Sequence, residues 1–196
     1  MKIIDNFLTK SYHKNILELL TNPDFGWGYN DCISAPSGLG PMDHPKPPHF
    51  KEYGFSQVFW DVQNGPIKEF SSFFHPFLLQ VLDDTDCDFF LRARMDMVTW
   101  SGKEDFIHPP HVDFHFPNTA SVFYVNESDG DTILYNVKRN DVAHYKDLKI
   151  YDRISPKPNR LVLFDGDHLH TGCSPTKYKQ RILINSNYIK GDDKNN

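Results

Sequence analysis

Two segments in the first half of the chain carry apolar residues at helical spacing. A short strand is predicted over residues 2–8, and the helix after it begins at Thr9 or Ser11 and ends near Leu20, before an Asn-Pro pair. A second helix is predicted over residues 66–82, where Phe and other apolar residues recur every three or four positions behind an initial proline. Such a stripe is typical of a helix face that packs on the core.

From residue 88 onward the pattern changes to runs rich in Val, Ile, Phe and Tyr, several of which alternate in polarity. The strands predicted from these runs are 89–100, 119–126, 131–137, 160–165 and 181–189. The polar stretch 138–153 is predicted to be a loop or an irregular strand. Helices that precede many strands predict an α+β fold, mainly β, in which the N-terminal helices buttress a barrel or sandwich.

One long segment has no periodicity. Residues 30–50 are rich in Pro and Gly, so we predict a long loop there, which is either a lid over a substrate or a plain surface connection. The length of the chain fits a single domain, which we predict over residues 1–190. The polar tail at 191–196 is predicted to be disordered.

The bulk composition argues against several classes of function. The 196 residues have a net charge of −5, which leaves no basic footprint for nucleic acid or an anionic membrane surface. Three cysteines, Cys32, Cys87 and Cys173, are far apart and odd in number, which argues against a disulfide framework and a zinc–thiolate site. Because no apolar run is long enough for a signal peptide or a membrane span, we predict a soluble, cytoplasmic protein.

The sequence HPPHVDFH at residues 108–115 contains the first candidate metal ligands. Residues two apart in a strand point to the same face, about 6–7 Å apart, so His111 and Asp113 can aim an imidazole and a carboxylate at one ion. A second cluster, at residues 165–170, ends in His170 and would supply a third ligand. Two histidines and one carboxylate form the facial triad of non-haem iron(II) oxygenases, which leaves coordination positions open.

The same spacing fits three alternatives. Surface or hydrogen-bonded histidines could produce it by chance, since the chain has ten His. Asp113 and His115 would fit the same strand face equally well. A zinc hydrolase uses the same types of ligand.

A charged residue at the start of a predicted strand narrows these alternatives. Arg181 lies 11 residues after His170 and opens the apolar strand RILINSNYI. A lone buried charge is costly, and the planar guanidinium matches a carboxylate through two hydrogen bonds. The partner is either the distal carboxylate of 2-oxoglutarate or an Asp or Glu of the chain itself.

Together these residues resemble the iron(II)- and 2-oxoglutarate-dependent dioxygenase superfamily, on its prolyl-4-hydroxylase-like side. The matching elements, in the family's order, are His111-Val112-Asp113, SVFYVN at 121–126, GDT at 130–132, NRLVLFDG at 159–166, His170 and Arg181. The resemblance covers about residues 90–190, and the opening IIDNFL is similar as well. The chain as a whole is similar to small uncharacterised bacterial and phage oxygenases. The resemblance implies a double-stranded β-helix of the jelly-roll or cupin type.

The resemblance also implies a role for each matching residue. His111 and Asp113 match the first two iron ligands, and His170 matches the third, with His168 as its rival. Arg181 matches the residue that anchors the 2-oxoglutarate carboxylate. Because Asp113 is present where halogenases of this superfamily carry a small residue, the resemblance implies hydroxylation or a related oxidation.

The second polar contact of 2-oxoglutarate has no clear match, because no Tyr precedes the His-Val-Asp motif at the position the family would use. Tyr124 and Asn126 share a strand face and are the candidates for cofactor binding. Arg94 and Asp96 are weaker candidates.

The implied cofactor and co-substrates are Fe(II), 2-oxoglutarate and O2, with ascorbate as an optional addition. The expected reaction hydroxylates a C–H bond of a protein or peptide side chain, prolyl among the options, and releases succinate and CO2. The alternatives are oxidation of a small molecule at the same site, a zinc hydrolase, and a metal-binding β-helix protein without turnover. A nucleic-acid demethylase does not suit the net charge of −5.

Overall fold

The structure is a computed structural model that describes residues 1–34, 52–100, 102, 106–139, 141 and 144–191. Residues 35–50 of the predicted loop and 192–196 of the predicted tail lie outside these ranges. The lid and the disordered tail therefore stay predictions.

The described residues form two helices and eleven strands. The helices are α1 (Lys10–Thr21) and α2 (Ser71–Asp83), with a short 3-10 turn at Tyr145–Asp147. The strands are β1 (Lys2–Asp5), β2 (Gly28–Asn30), β3 (Gly54–Asp61), β4 (Gly65–Pro66), β5 (Phe89–Thr99), β6 (Thr119–Tyr124), β7 (Thr132–Lys138), β8 (Ile150–Ile154), β9 (Arg160–Asp165), β10 (His168–Gly172) and β11 (Gln180–Ile189).

Local sequence explains where the helices begin. Thr9 caps α1, because its hydroxyl accepts a hydrogen bond from a backbone N–H of the first turn at 3.4 Å. The predicted start of the second helix at Pro66 is wrong, since Pro66 lies in β4 and pairs with Trp60 of β3. Helix α2 begins at Ser71, whose hydroxyl donates to the Phe59 carbonyl at 2.7 Å and joins the helix to β3.

The strands pair antiparallel in two sheets. The larger sheet has the order β1-β9-β6-β11-β5-β3-β2, with β4 beside β3, and the smaller has the order β10-β7-β8. Isolated bridges from Ile107 to Cys173 and from His111 to His170 extend the smaller sheet beyond β10. Neighbours in space that are distant in sequence are typical of jelly-roll topologies.

Two apolar clusters hold these layers together. The cluster between the helices and the larger sheet includes Ile16, Leu20, Phe74, Phe77, Phe123, Ile182 and Ile184. The cluster between the two sheets consists of Ala120, Val122, Tyr124, Leu134, Ile154, Val162, Phe164 and Leu183. The helices therefore buttress the outer face of the larger sheet, as predicted.

Alternation along β5 and β11 decides which side chains face the smaller sheet. Ala93, Met95, Ile182 and Ile184 belong to the cluster on the helix side. Because successive side chains of a strand point to opposite faces, their neighbours point inward between the sheets. The inward positions that matter for the site are Arg92, Arg94 and Asp96 on β5, and Arg181, Asn185 and Asn187 on β11.

Some strands go beyond the sequence prediction. The predicted set omits β2, β3, β4 and β10, and β8 falls in the stretch predicted as loop or irregular strand. Strand β10 reads HLHTG, with Leu169 as its one large aliphatic residue, so its own sequence gives little strand signal. No helix in the described ranges has the length and apolarity that crossing a bilayer requires.

Candidate metal centre and adjoining cavity

A pair of backbone hydrogen bonds holds His111 and His170 side by side. The N–H of each residue donates to the carbonyl of the other at 2.9 Å. Asp113 lies at a bend two residues after this bridge, and not within a regular strand as the spacing argument assumes. The metal-binding atoms of His111, Asp113 and His170 all lie within 4.8 Å of one another. The structure therefore brings together the three residues that the sequence predicts as ligands.

Backbone carbonyls fix the orientation of both imidazoles. Nδ1 of His111 lies 3.2 Å from the Pro109 carbonyl oxygen, and Nδ1 of His170 lies 3.0 Å from the His168 carbonyl oxygen. A carbonyl only accepts, so Nδ1 of each ring carries a proton, and Nε2 is the nitrogen whose lone pair a metal ion would take. His170 Nε2 is buried and has no hydrogen-bond partner among the described residues. This buried lone pair fits a metal ion.

The Asp113 carboxylate is held by side chains from β5 and β11, two neighbouring strands of the larger sheet. Arg92 on β5 donates to Oδ1 at 2.7 Å, and the Asn187 amide on β11 donates to Oδ2 at 3.0 Å. The Arg92 guanidinium also lies over the Phe114 ring, 5.0 Å from its centroid. The carboxylate is thus held in one orientation beside the two imidazoles.

The protonation states of these groups suit a bound cation. Burial alone would raise the pKa of Asp113, but the contact with His170 and the charge of Arg92 outweigh burial and hold that pKa well below its ordinary value. Burial and the neighbouring His170 lower the pKa of His111 to about 3. The carboxylate is therefore charged and the His111 imidazole neutral at pH 7, which are the forms that bind metal.

A cavity adjoins His111 and His170 between the two sheets. Its wall is formed by Ile33, Ser34, Arg94, Asp96, Val98, His108, His111, Val122, Thr132, His170, Thr171, Gly172, Arg181, Leu183 and Asn185. Ile33 and Ser34 belong to the segment predicted as a lid or surface connection. The cavity therefore joins the metal centre to the inward faces of β5 and β11.

Arg181 reaches this cavity with its charge uncompensated. Its Nη2 donates to the Thr132 hydroxyl at 2.7 Å, and its guanidinium lies over the Tyr124 ring at 5.6 Å. Arg181 Nε is buried and has no hydrogen-bond partner among the described residues. Among the residues that the structure describes, no Asp or Glu oxygen lies within 4.0 Å of this guanidinium. The described part of the chain therefore contains no carboxylate partner for Arg181.

His108 lies next to Arg181 and remains neutral. Its Nε2 is 2.9 Å from the Ser174 hydroxyl, and its Nδ1 is buried with no partner in the part of the chain that the structure describes. Burial, the charge of Arg181 and the nearby His111 lower the pKa of His108 to about 3. A neutral imidazole with one unsatisfied nitrogen thus forms part of the cavity wall.

Comparison with known proteins gives a fold but no close relative. No protein-family model matches the chain, and no curated protein sequence is similar to it. A prolyl hydroxylase from Trichoplax adhaerens, in complex with a peptide of the hypoxia inducible factor oxygen degradation domain, matches with a TM-score of 0.57 and 17% identity over 98% of this chain and 84% of that one. A prolyl-4-hydroxylase from Pseudomonas putida matches with a TM-score of 0.59 and 12% identity over 96% of this chain and 92% of that one.

A third solved structure has a different activity. The non-haem alpha-ketoglutarate-dependent epimerase SnoN from nogalamycin biosynthesis matches with a TM-score of 0.58 and 12% identity, over 96% of this chain and 76% of that one. The chain has the fold of the 2-oxoglutarate-dependent iron oxygenases. This confirms the predicted double-stranded β-helix, and at these identities the likeness extends to the fold alone.

The other sequence candidates occupy different places. The Tyr124 hydroxyl donates to Thr132 at 2.6 Å, and the Asn126 amide bonds to the backbone of Gln180 and Ile182. The prediction that Tyr124 and Asn126 contact 2-oxoglutarate requires them to line the cavity, and neither belongs to its wall. Arg94 and Asp96, the weaker candidates, do belong to it.

The two rival histidines are also accounted for. His168 stacks on Tyr151, its Nδ1 lies 3.0 Å from the Tyr135 carbonyl oxygen, and a register shift separates it from His170 in β10. His115 is exposed. Neither joins the cluster of metal-binding atoms found among the described residues.

Sequence reasoning misses Arg92, Asn187, Asn185 and His108. The sequence does contain a signal for the first three: polar residues two positions apart share one face of a strand, as Arg92 and Arg94 do on β5 and Asn185 and Asn187 do on β11. Which of them would meet which partner depends on strand pairing, and the alternation does not encode that.

Proposed function

We propose that this protein is an iron(II)- and 2-oxoglutarate-dependent dioxygenase that hydroxylates a C–H bond of a protein or peptide side chain and releases succinate and CO2. One observation carries the proposal: a buried His–Asp–His cluster shares a cavity with Arg181, which has no carboxylate partner among the described residues. A metal ion accounts for the cluster and a ligand carboxylate accounts for Arg181. A keto acid with a distal carboxylate satisfies both.

In this proposal His111, Asp113 and His170 hold the iron and leave its remaining positions for ligands. Bound iron supplies the redox chemistry that couples decarboxylation of 2-oxoglutarate to oxidation of the substrate. Arg181 binds the distal carboxylate of 2-oxoglutarate and sets its direction in the cavity. Ascorbate is an optional addition to the reaction.

The surrounding residues orient and insulate these groups. Arg92 and Asn187 keep the Asp113 carboxylate charged and directed at the metal. The backbone carbonyls of Pro109 and His168 keep both imidazoles in the tautomer that offers Nε2. Because the side chains of the three candidate ligands and of Arg181 are buried, the contact of Arg181 with a ligand carboxylate is strong.

The substrate class rests on weaker support. The similar prolyl hydroxylase with its bound peptide supports a protein or peptide substrate, prolyl among the options. The similar epimerase from nogalamycin biosynthesis supports a second candidate, the same chemistry on a small molecule.

Turnover of 2-oxoglutarate tests the proposal. The protein is stripped of metal, reconstituted with Fe(II) without oxygen, and mixed with O2, 2-oxoglutarate and a panel of peptides and metabolites, and succinate is measured. His111→Ala, Asp113→Ala and His170→Ala should each abolish succinate release, because each removes one of three metal ligands. His168→Ala is the matched control and should keep it.

Two outcomes would contradict the proposal. Stoichiometric, tight zinc binding without any succinate release from the iron-loaded protein would favour a zinc hydrolase or a protein without turnover. Activity in His170→Ala together with loss in His168→Ala would move the third ligand to His168.

A further inference from the structure

A repeated pair of residues on β5 and β11 points to a second carboxylate-binding site beside the metal centre. Arg92 faces Asn187 across the two strands, and at the next inward position Arg94 faces Asn185 in the same way. The first pair holds the Asp113 carboxylate, with hydrogen bonds of 2.7 Å from the arginine and 3.0 Å from the asparagine.

The second pair has the same donors, and no carboxylate of the described residues lies between them. Arg94 makes one hydrogen bond in the described part of the chain, from its Nε to Asp96 Oδ2 at 3.0 Å. Its two terminal nitrogens make none there. The Asn185 side chain is buried; its Nδ2 donates no hydrogen bond to the described residues, and its Oδ1 has no partner among them. Arg94 and Asn185 both belong to the wall of the cavity that contains His111 and His170.

The spacing of the strands places this second pair close to the chemistry. Inward positions on a strand are about 6–7 Å apart, so the second pair lies one step from the clamp on Asp113. Arg181 faces Val98, two inward positions beyond Arg94. A carboxylate on the second pair would therefore lie between the metal ligands and Arg181.

Asp96 orients the second arginine. It accepts the Nε proton, and its two oxygens lie 2.8 and 3.0 Å from that nitrogen. The terminal edge of the guanidinium, with its paired N–H groups, is then left for another acceptor. An Arg94–Asp96 pair with a purely structural role would leave these N–H groups and the Asn185 Nδ2 donor without an acceptor among the described residues, which is destabilising.

We propose that Arg94 and Asn185 bind a ligand carboxylate at the metal centre, as Arg92 and Asn187 bind Asp113. The carboxylate has two possible sources: the keto acid end of 2-oxoglutarate, or an acidic group of the molecule that is oxidised. This inference rests on the proposed function, and the second source would make the substrate an acidic one.

Ligand binding to the Mn(II)-loaded protein without oxygen tests the site independently of turnover. Calorimetric titrations use 2-oxoglutarate and pyruvate, a keto acid that lacks the distal carboxylate. If the site holds the keto acid end, Arg94→Gln weakens binding of both about 10- to 100-fold while Mn(II) affinity is kept. The matched control is Arg160→Gln, which removes a guanidinium paired with Asp5 near the surface and should change neither affinity.

The second source gives a different result. If the site holds an acidic group of the substrate, Arg94→Gln leaves 2-oxoglutarate and pyruvate affinities unchanged. It then abolishes binding of L-glutamate or L-aspartate to the complex of protein, Mn(II) and 2-oxoglutarate. Unchanged keto acid affinity combined with no Arg94-dependent binding of either amino acid overturns the proposal.

A second variant distinguishes loss of the carboxylate site from misfolding of the protein. Asn185→Leu keeps the Arg94–Asp96 pair and should reproduce the Arg94→Gln result in weaker form. A lower melting temperature with unchanged affinities in both variants means a structural pair only. If the wild-type protein does not bind 2-oxoglutarate at all, the proposed function fails. Titrations of pyruvate, L-glutamate and L-aspartate into the Mn(II)-loaded wild type and both variants, without 2-oxoglutarate, then decide the carboxylate site: binding that Arg94→Gln weakens supports it, and no Arg94-dependent binding overturns it.

Discussion

Replacing Arg181 by leucine should separate the binding of 2-oxoglutarate from the binding of iron. The guanidinium lies in the cavity with one neutral hydrogen-bond partner, Thr132, at 2.7 Å, and no described carboxylate within 4.0 Å. A ligand carboxylate would thus supply its main charged contact. The metal ligands are on other elements, so iron affinity should change little in Arg181→Leu.

The expected magnitude follows from the strength of a hydrogen bond between charged groups. Such a bond contributes about 1.5–3 kcal/mol, and each 1.4 kcal/mol is a factor of ten. The apparent KM for 2-oxoglutarate should therefore rise about 10- to 100-fold or more, since truncation also leaves the ligand carboxylate unpaired. Arg181→Lys should raise KM less than Arg181→Leu, because it keeps the charge but not the planar fork.

Gly172 offers a variant that keeps the arginine. A Cβ at this position would lie 3.0 Å from Arg181 Nη1, so the guanidinium of Gly172→Ala must shift away. The KM for 2-oxoglutarate should rise, by less than in Arg181→Leu, although no charge has changed.

The assay measures succinate release against 2-oxoglutarate concentration, together with Mn(II) affinity and melting temperature, on each purified variant. A structural arginine with an internal partner would lower the melting temperature and leave KM unchanged. A normal KM in Arg181→Leu with a collapsed melting temperature would refute the anchor role and remove the main support for 2-oxoglutarate as co-substrate.

Two further predictions concern the metal ligands and pH. Asn187→Ala removes the donor to Asp113 Oδ2 and should weaken Mn(II) affinity about 10- to 100-fold in a metal titration, whereas unchanged affinity would mean that the clamp does not act on the metal. In the metal-free protein the pKa values of His108 and His111 are lowered to about 3, so between about pH 6.5 and 3 the unfolded chain binds more protons than the folded one. As the pH decreases through this range, the free energy of unfolding should therefore decrease by about 1.4 kcal/mol per pH unit for each histidine. Burial raises the pKa of Asp96, so this residue acts in the opposite direction. Urea denaturation from pH 7.5 to 4.5 measures this slope; His108→Gln should reduce it by about one proton, and a flat profile in the wild type would contradict the reasoning.

Local patterns were enough to predict the main sheet elements and the types of ligand. Strand β5 alternates apolar and polar residues from Leu91 to Met97, and a period of two is set by the strand itself. Helix α1 has its cap and its terminating Asn-Pro in the sequence. The His111–Asp113 spacing and Arg181 at the head of an apolar strand indicated a metal centre and an anion partner, because burial of such groups is costly unless they have a function or a partner.

Assignments that depend on which strands meet could not be read from the chain. His168 and His170 are two residues apart in the same strand and look equivalent in sequence. A register shift between them in the pairing of β10 with β7, and the bridge from His170 to His111, send only His170 to Asp113. The strand β3 and the helix start at Ser71 likewise depend on partners far away in the sequence.

The sequence by itself determined the mainly β fold class, the types of candidate metal ligand and the cation at Arg181, because these follow from periodicity and from the chemistry of individual side chains. Only the tertiary structure decided that Arg92 and Asn187 clamp Asp113, that Arg94 and Asn185 repeat the same pair beside the cavity, and that Tyr124 and Asn126 lie outside its wall. The physical reason is that a strand pattern fixes which face a side chain takes. The partner it meets on that face is set by the register between strands about 90 residues apart in the sequence.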